Sequence, residues 1–465
     1  MPRRAALLSL LLLALTAPAV GAQRLPLGHH GRWMTDAHGR VVVLHGLNMV
    51  AKLPPYAPDA LGFGADDARF LAREGYNSVR LGIIYKAVEP EPGRYDDAYL
   101  KRIAATVRVL GRHGITSLLD FHQDLYNERF QGEGWPDWAV MDDGLPAQPQ
   151  LGFPGNYLGM PALNRAFDHF WANDAGLQDS YAAAWRHVAH RFAHNRFVMG
   201  YDLLNEPWPG SAYASCISTE GCPAFDAQLE AFTRRALAAI RAVDPDTLVF
   251  YEPHVLFNDG VKTHLADLGD DHLGFSFHDY CLTASEPGSC GTFDDLVFAN
   301  ARQRVEDTGD VPLMTEFGAT KDPAILSDMT ARADANMIGW QEWHYCGCQD
   351  PTTSGPGDTQ ALVLDPAKPP RGDNLDTGKL ARLSRPYPQV LAGTPTRWSF
   401  ADGAFTLSWK ARRGRTVIAV PRRQFPKGYR ARGKGVRIRS RRGARRLVVT
   451  ARRGPRTLTV TPRGR

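Results

Sequence analysis

Two glutamates stand at the ends of apolar runs. Glu206 closes YDLLNE just ahead of Pro207, and Glu316 closes VPLMTE further along the chain. Pro207 removes a backbone donor, so the first run must stop there. A carboxylate at such a place is either a salt-bridged strand end or an acid mounted on a rigid scaffold. Two carboxyl groups set about 5 Å apart would serve a retaining glycosidase. One attacks the anomeric carbon, while the other gives its proton to the leaving oxygen and later takes one from water. The neighbouring residue types suit that chemistry. Arg80 and Tyr280 would keep the attacking carboxylate ionised by charge and hydrogen bonding, Asn205 would bind a sugar 2-hydroxyl, and Trp343 offers a flat apolar face to a sugar ring.

Those residues need a frame that brings them together. Runs beginning at residues 41, 78, 116, 197, 247, 272, 311 and 337 read as strands, and most are near-continuous apolar stretches, as parallel strands covered on both faces are. Helical patterns lie between most of them. DDAYLKRIAATVRVLGRHG and FDAQLEAFTRRALAAIRAVDP carry apolar residues at three- and four-residue spacing, with His113-Gly114 and Asp244-Pro245 as stops. The repeat predicts an α/β fold, a (β/α)8 TIM barrel. A doubly wound sheet would need a Gly-rich turn after its first strand, which is missing. Polar residues close nearly every strand: Arg80; Asp120, His122 and Asp124; Asn205 and Glu206; Glu252 and His254; His278 and Tyr280; Glu316; Trp343. In a barrel these ends converge on one mouth, where catalysis is placed.

The ordered series Arg80, His122, Asn205-Glu206-Pro207, His278-x-Tyr280, Glu316 and Trp343 resembles glycoside hydrolase family 5. The stretches GLNMVAKLPPYAP, DFHQDLYNERFQGEGWPDWAV, YDLLNEPWPG and YEPHVLFNDG are similar to those of its endoglycoceramidases. The resemblance implies Glu206 as acid/base and Glu316 as nucleophile. It places Lys52, Asp120, His122 and Asp124 on the first sugar and implies cleavage between the reducing-end glucose and ceramide. It also implies a glycosphingolipid substrate and no metal or organic cofactor. A member of the family cutting β-glucans, mannans or other β-glucosides is the alternative reading, and a non-catalytic binding module a third. A lipid substrate needs an apolar slot beyond the scissile bond. The stretch from about 125 to 180, with Phe130, Trp135, Trp138, Tyr157, Leu158 and Met160, is expected to line that slot in part or to touch lipid.

The ends of the chain differ from its middle. Arg3 and Arg4, the apolar Ala5 to Leu15 and the small residues Val20-Gly21-Ala22 form a secretory leader pattern, so residues 1–22 are expected to be removed and the protein secreted. Six cysteines fit an oxidising compartment. Cys216 with Cys222 and Cys281 with Cys290 are natural pairs, whereas Cys346 and Cys348 would close a very small ring and invite a cross-loop partner. Zinc spacings are absent. From Arg385 onward, 23 Lys and Arg face one acid, Asp402, a net of +22, so the preceding residues carry −16 within the chain's +6. SRPYPQVLAGTP marks the boundary. Beyond it FTLSWKA, TVIAVP, GVRIRS, RRLVVTA and RTLTVTP predict a small antiparallel β-sandwich over 385–465, following a barrel over 23–384. Its charge suits a membrane or micelle surface, an acidic glycan or the acidic barrel beside it. No recognition motif points to nucleic acid. A monomer is expected.

Overall fold

The computed structural model describes residues 23–281, 291–353 and 357–464. Eight strands close a barrel in the order His45–Met49, Ser78–Ile84, Thr116–His122, Val198–Asp202, Leu248–Tyr251, Leu273–Asp279, Val311–Phe317 and Gly339–Glu342. Every neighbouring pair is parallel, and the last strand pairs with the first. The helices between them follow their sequence pattern. In Asp97–Arg112 the Asp96 side chain accepts from the Tyr99 N–H at 2.9 Å, and Leu100, Ile103, Val107 and Leu110 form the buried stripe. Gly114, at φ 79°, turns the chain into the next strand.

The barrel interior changes character along its axis. Inward residues recur every second position. Near the N-terminal ends of the strands they are apolar: Leu44, Leu118, Met199, Leu248, Phe250 and Leu313 form one cluster. Phe250 fills so much of that space that a Cβ on Gly274 would lie 2.2 Å from its ring. One layer higher the inward residues are Arg80, Asp120, Asp202 and Ser276, all without solvent exposure. The next positions, His122 and His278, open on the mouth. In the seventh strand a register shift between Met314 and Glu316 sets Glu316 beside His278. Bulges of this kind re-aim side chains at the rims of barrels.

The run starting at residue 41 is two strands rather than one. Val41–Val42 leaves the barrel and joins an antiparallel sheet, and only His45–Met49 enters the barrel. That second sheet has seven strands and draws on both ends of the chain: Leu27–His30, Trp33–Asp36 and Val41–Val42 continue into Tyr387–Leu391, Thr416–Ala419, Arg446–Ala451 and Val436–Ile438. A four-stranded sheet, Gly393–Ala401, Ala404–Ala411, Gly454–Pro462 and Tyr429–Arg432, covers it. Trp398, Phe405, Leu407, Ile418, Val449 and Leu458 lie in the core between them.

The stretch after the third barrel strand is not a bare loop, since it contains the helix Pro161–Trp171. Its aromatic residues also behave differently from the expectation. Phe130, Trp135, Tyr157 and Met160 are buried, and Trp138, Val140, Met141 and Phe153 pack on the same core. Trp135 stacks on Tyr126 at 4.2 Å, and of the residues singled out only Leu158 stays exposed. Burying such rings stabilises more than leaving them in water, and no part of the substrate is needed to explain them. Disulfides join Cys216 to Cys222 and Cys346 to Cys348, so the small ring forms after all. Cys290 and the leader at 1–22 lie outside the described residues. Among the described residues no helix is long and apolar enough to cross a membrane.

One buried carboxylate links barrel and sandwich. Asp334 accepts from Trp398 Nε1 at 2.8 Å and pairs with Arg385 at 2.6 Å. Asp334→Ala leaves the buried Arg385 without its partner and should lower unfolding stability by about 3 kcal/mol in a denaturant titration. A loss under about 1 kcal/mol would contradict this account of the junction.

Candidate active site

Arg80 lies beneath the mouth with no solvent exposure. Its guanidinium donates from Nε to Asp202 at 2.9 Å, and from Nη2 to Asn205 at 3.0 Å and Glu252 at 2.9 Å. Nη2 also lies 3.0 Å from Asp120, and Nη1 bonds to Glu316. Neighbouring carboxylates outweigh the burial that would lower its pKa and keep it charged. Tyr280 takes the other oxygen of Glu316 at 2.7 Å. Burial lifts the Tyr280 phenol well above its usual range, with Glu316 adding to it, so the hydroxyl stays a donor. Burial also raises the Glu316 carboxyl, and His278 and Arg80 pull against that rise. Both oxygens of Glu316 therefore meet donors suited to its ionised form.

His278 joins the two glutamates. Its Nδ1 is 2.8 Å from Glu206 Oε1 and 3.5 Å from Glu316 Oε2, and its Nε2 is 3.3 Å from Glu252. Burial would lower this imidazole, but Glu252 and Glu316 lift it well above its ordinary value, so both nitrogens carry protons. One oxygen of Glu206 and one of Glu316 lie within 4.8 Å of each other. That spacing matches the short separation of a double displacement.

Glu206 sits on a turn of unusual backbone. Its φ of 45° lies in the left-handed region. Its N–H donates to Glu252 Oε2 at 2.9 Å, Gln123 Nε2 donates to its carbonyl at 3.1 Å, and Asn258 Nδ2 donates to its Oε1 at 3.0 Å. Asn205 is held between Gln123 and Arg80. Strain in an over-determined turn of this kind is characteristic of functional sites.

The remaining residues expected at the site form a second cluster beside the glutamates. Lys52 Nζ is 2.6 Å from Asp124, 2.7 Å from Thr352 and 3.2 Å from Asp350, and lies 4.6 Å from the centre of the Trp343 ring. Trp343 stacks on His122 at 5.2 Å and is 5 % exposed. Asp120 does not reach the mouth: it is fully buried and bonds to His122 Nδ1 at 2.8 Å. It orients that histidine instead of meeting a sugar. His122, Asp124 and Glu133 have the spacing of cation ligands, as do Glu206, His278 and Glu316. In the first group the Lys52 ammonium already supplies the positive charge, and in the second His278 does.

Glu252 is visible in the sequence as a polar strand end, but not as the link between Arg80 and the Glu206 backbone. Asn258 sits on the short 3-10 helix Val255–Asp259, inside the stretch YEPHVLFNDG but not singled out there, and Asp350 sits on a loop whose pattern carries no such signal. Asp202 reads as one residue of an apolar run, although its alternation with Gly200 marks it as inward-facing.

The family model for cellulase, glycosyl hydrolase family 5, matches residues 35–348, and that for the glycoside hydrolase family 5 C-terminal domain matches residues 385–461. The chain belongs to glycoside hydrolase family 5. It is 35% identical over 442 residues to endoglycoceramidase I of Rhodococcus hoagii, covering 90% of this chain and 85% of that protein. It is 27% identical over 438 residues to an endoglycoceramidase of Hydra vulgaris, covering 85% and 81%. Endo-glycoceramidase II from Rhodococcus sp., solved with a five-membered iminocyclitol, superposes with a TM-score of 0.79 at 32% identity, over 92% of this chain and 99% of that one. The same Rhodococcus protein has been solved as a lactosyl-enzyme intermediate and with ganglioside GM3. As a family 5 enzyme the chain is a retaining glycoside hydrolase, and its closely spaced glutamates accord with that.

His122 supplies a pH signature of this family 5 site. Burial alone would lower its pKa, but Asp120, with bonds to Asp120 and Asp124, lifts it to about 10. A folded value above the unfolded one, about 6.5, means the stabilisation is complete below pH 6.5 and is lost as pH rises through 10. His122→Gln should therefore melt roughly 5 °C below the parent at pH 6, with the gap closing by pH 10.5. A gap of constant size across that range would exclude a charged His122.

Proposed function

We propose that this protein is an endo-β-glycosidase that cuts glycosphingolipids between the first sugar and ceramide, releasing the intact oligosaccharide. The observation that carries the reading is the pair Glu206 and Glu316, held within 4.8 Å of each other by His278 and Arg80. Similarity along nearly the whole chain to endoglycoceramidases supports the lipid substrate.

In this reading Glu316 attacks the anomeric carbon as the bond to the ceramide oxygen breaks, and Glu206 gives that oxygen its proton. A water then attacks the glycosyl–Glu316 ester, Glu206 takes its proton, and two inversions leave the sugar with its original configuration. Arg80 and Tyr280 receive the charge that returns to Glu316 when the ester is cleaved. Asn205 meets the sugar 2-hydroxyl, and Lys52, His122, Asp124 and Trp343 hold the first sugar. The leader pattern and the paired cysteines support secretion with cleavage near Ala22, and a lipid substrate brings a monomeric enzyme to a membrane or micelle surface.

Mass spectrometry of products from lactosylceramide in detergent tests the reading: ceramide with intact lactose is expected. Galactose with glucosylceramide would replace it with an exo-acting enzyme. Lack of cleavage, with turnover of a β-glucan, would replace the substrate class.

Roles separate in variants. Glu316→Gln should lose turnover while keeping its melting temperature. Glu206→Ala should lose about 10²- to 10⁴-fold on lactosylceramide, where the leaving group needs a proton. It should lose far less in the first step with a dinitrophenyl β-lactoside, whose leaving group does not. Equal losses on both substrates would remove Glu206 from the role of acid.

A further inference from the structure

A groove of about 990 Å³ lies in the sandwich, between the edge of the seven-stranded sheet and the four-stranded sheet. Lys410, Lys434, Arg437, Arg452 and Arg456 line it, and all but Arg456 are exposed. The only acid after residue 384 is Asp402, which is not in its wall. Among the described residues, the ion pairs that reach from this region to carboxylates are Arg385–Asp334 and Arg423–Glu74, and neither touches the groove. Five like charges around one concavity repel one another, and an anionic occupant relieves that repulsion.

The wall is also partly preformed. Trp409 and Arg456 face each other across paired strands. The Arg456 guanidinium is pinned by the carbonyls of Pro455 at 2.6 Å and Arg453 at 2.9 Å. Its Nε–H and the Trp409 indole N–H are buried and have no acceptor among the described residues. Ser408 and Thr457, whose hydroxyls lie 3.0 Å apart, also line the groove. Unused donors next to fixed cations match a ligand rich in charged oxygens.

The position of the groove selects among anions. The strand Tyr387–Leu391 meets the barrel at Tyr387, which stacks on His45 at the start of the first barrel strand. Arg446 pairs with Ala419 at that end, and Val436 with Ala451 at the other. The groove thus opens away from the barrel, and the catalytic mouth lies at the barrel's opposite end. A flat bilayer bound here would turn the mouth away from its own lipids. Trp409, the aromatic residue in the wall, is 1 % exposed, so nucleic acid bases find no stacking platform. We propose that the groove binds a linear acidic polysaccharide bearing repeated sulfate or carboxylate groups, tethering the enzyme while its mouth stays free.

Binding of a fluorescent heparin octasaccharide tests this in the full chain, with two paired variants of equal charge change. Arg437→Glu/Arg452→Glu reverses the groove. Arg441→Glu/Arg442→Glu reverses exposed cations on the turn at the barrel end of the same sheet. The groove variant should weaken binding at least tenfold and the other no more than two- to threefold, with both keeping the parent melting temperature and glycosidase activity in detergent. Equal weakening would reduce the effect to overall charge and overturn the site. Tighter, groove-dependent binding of phosphatidylserine vesicles or of a single-stranded oligonucleotide would overturn the choice of ligand.

Discussion

The active site is organised around one buried cation. Arg80 touches Asp120, Asp202, Glu252 and Glu316 at a depth without solvent. Such a cluster is poor material for stability, because taking the charges out of water costs about as much as their attraction returns. Its value is geometric. A guanidinium is planar and always charged, so four partners from the third, fourth, fifth and seventh barrel strands must meet it in fixed directions. Through Glu252 it fixes the backbone N–H of Glu206, and through its own Nη1 it fixes Glu316. The distance between the two glutamates is therefore set from below, by a layer of the barrel that no substrate reaches.

The fold had to supply that layer. In a barrel core filled only by aliphatic side chains, the change from apolar to charged residues along one strand would bury unpaired ions. Here the change comes at the same height on adjacent strands, so the charges appear together and pair. Leu118, Asp120 and His122 show it on the third strand, as Gly274, Ser276 and His278 do on the sixth. The alternation that makes a strand also ranks its side chains by depth: packing, then positioning, then the mouth.

This ranking explains what was legible in the sequence. The barrel is readable because eight apolar runs alternate with helical patterns, and strand-end residues are readable because polar groups rarely close buried strands without reason. Depth is harder to read. Asp120 looks equivalent to His122 and Asp124, yet it belongs one layer lower and serves His122 instead of a sugar. Likewise VVVLHGLNMV reads as one strand, because nothing local tells Val41 that its partner will be Leu391, far along the chain. The buried rings of the long insertion mislead for a related reason. An aromatic residue near a site has the same composition whether it faces a ligand or Phe167 and Tyr181. The distinction lies in tertiary packing, which composition does not encode.

The charge asymmetry along the chain poses a separate question, because a stretch of +22 after residue 384 beside one of −16 before it would be expected to adhere through its charges. The interface is built otherwise. Tyr387 stacks on His45, Trp398 and Arg385 share Asp334, and backbone pairing between Val41–Val42 and Tyr387–Leu391 ties both ends of the chain together. Burial lowers His45 well below its usual value, so this central ring is neutral where it meets Tyr387. Direction and rigidity come from neutral rings and one satisfied carboxylate, with salt-screened attraction left to the periphery. The positive charge of the sandwich is thus not consumed in joining the two bodies. It remains on the surface of the sandwich, and part of it lines the groove that points away from the catalytic mouth.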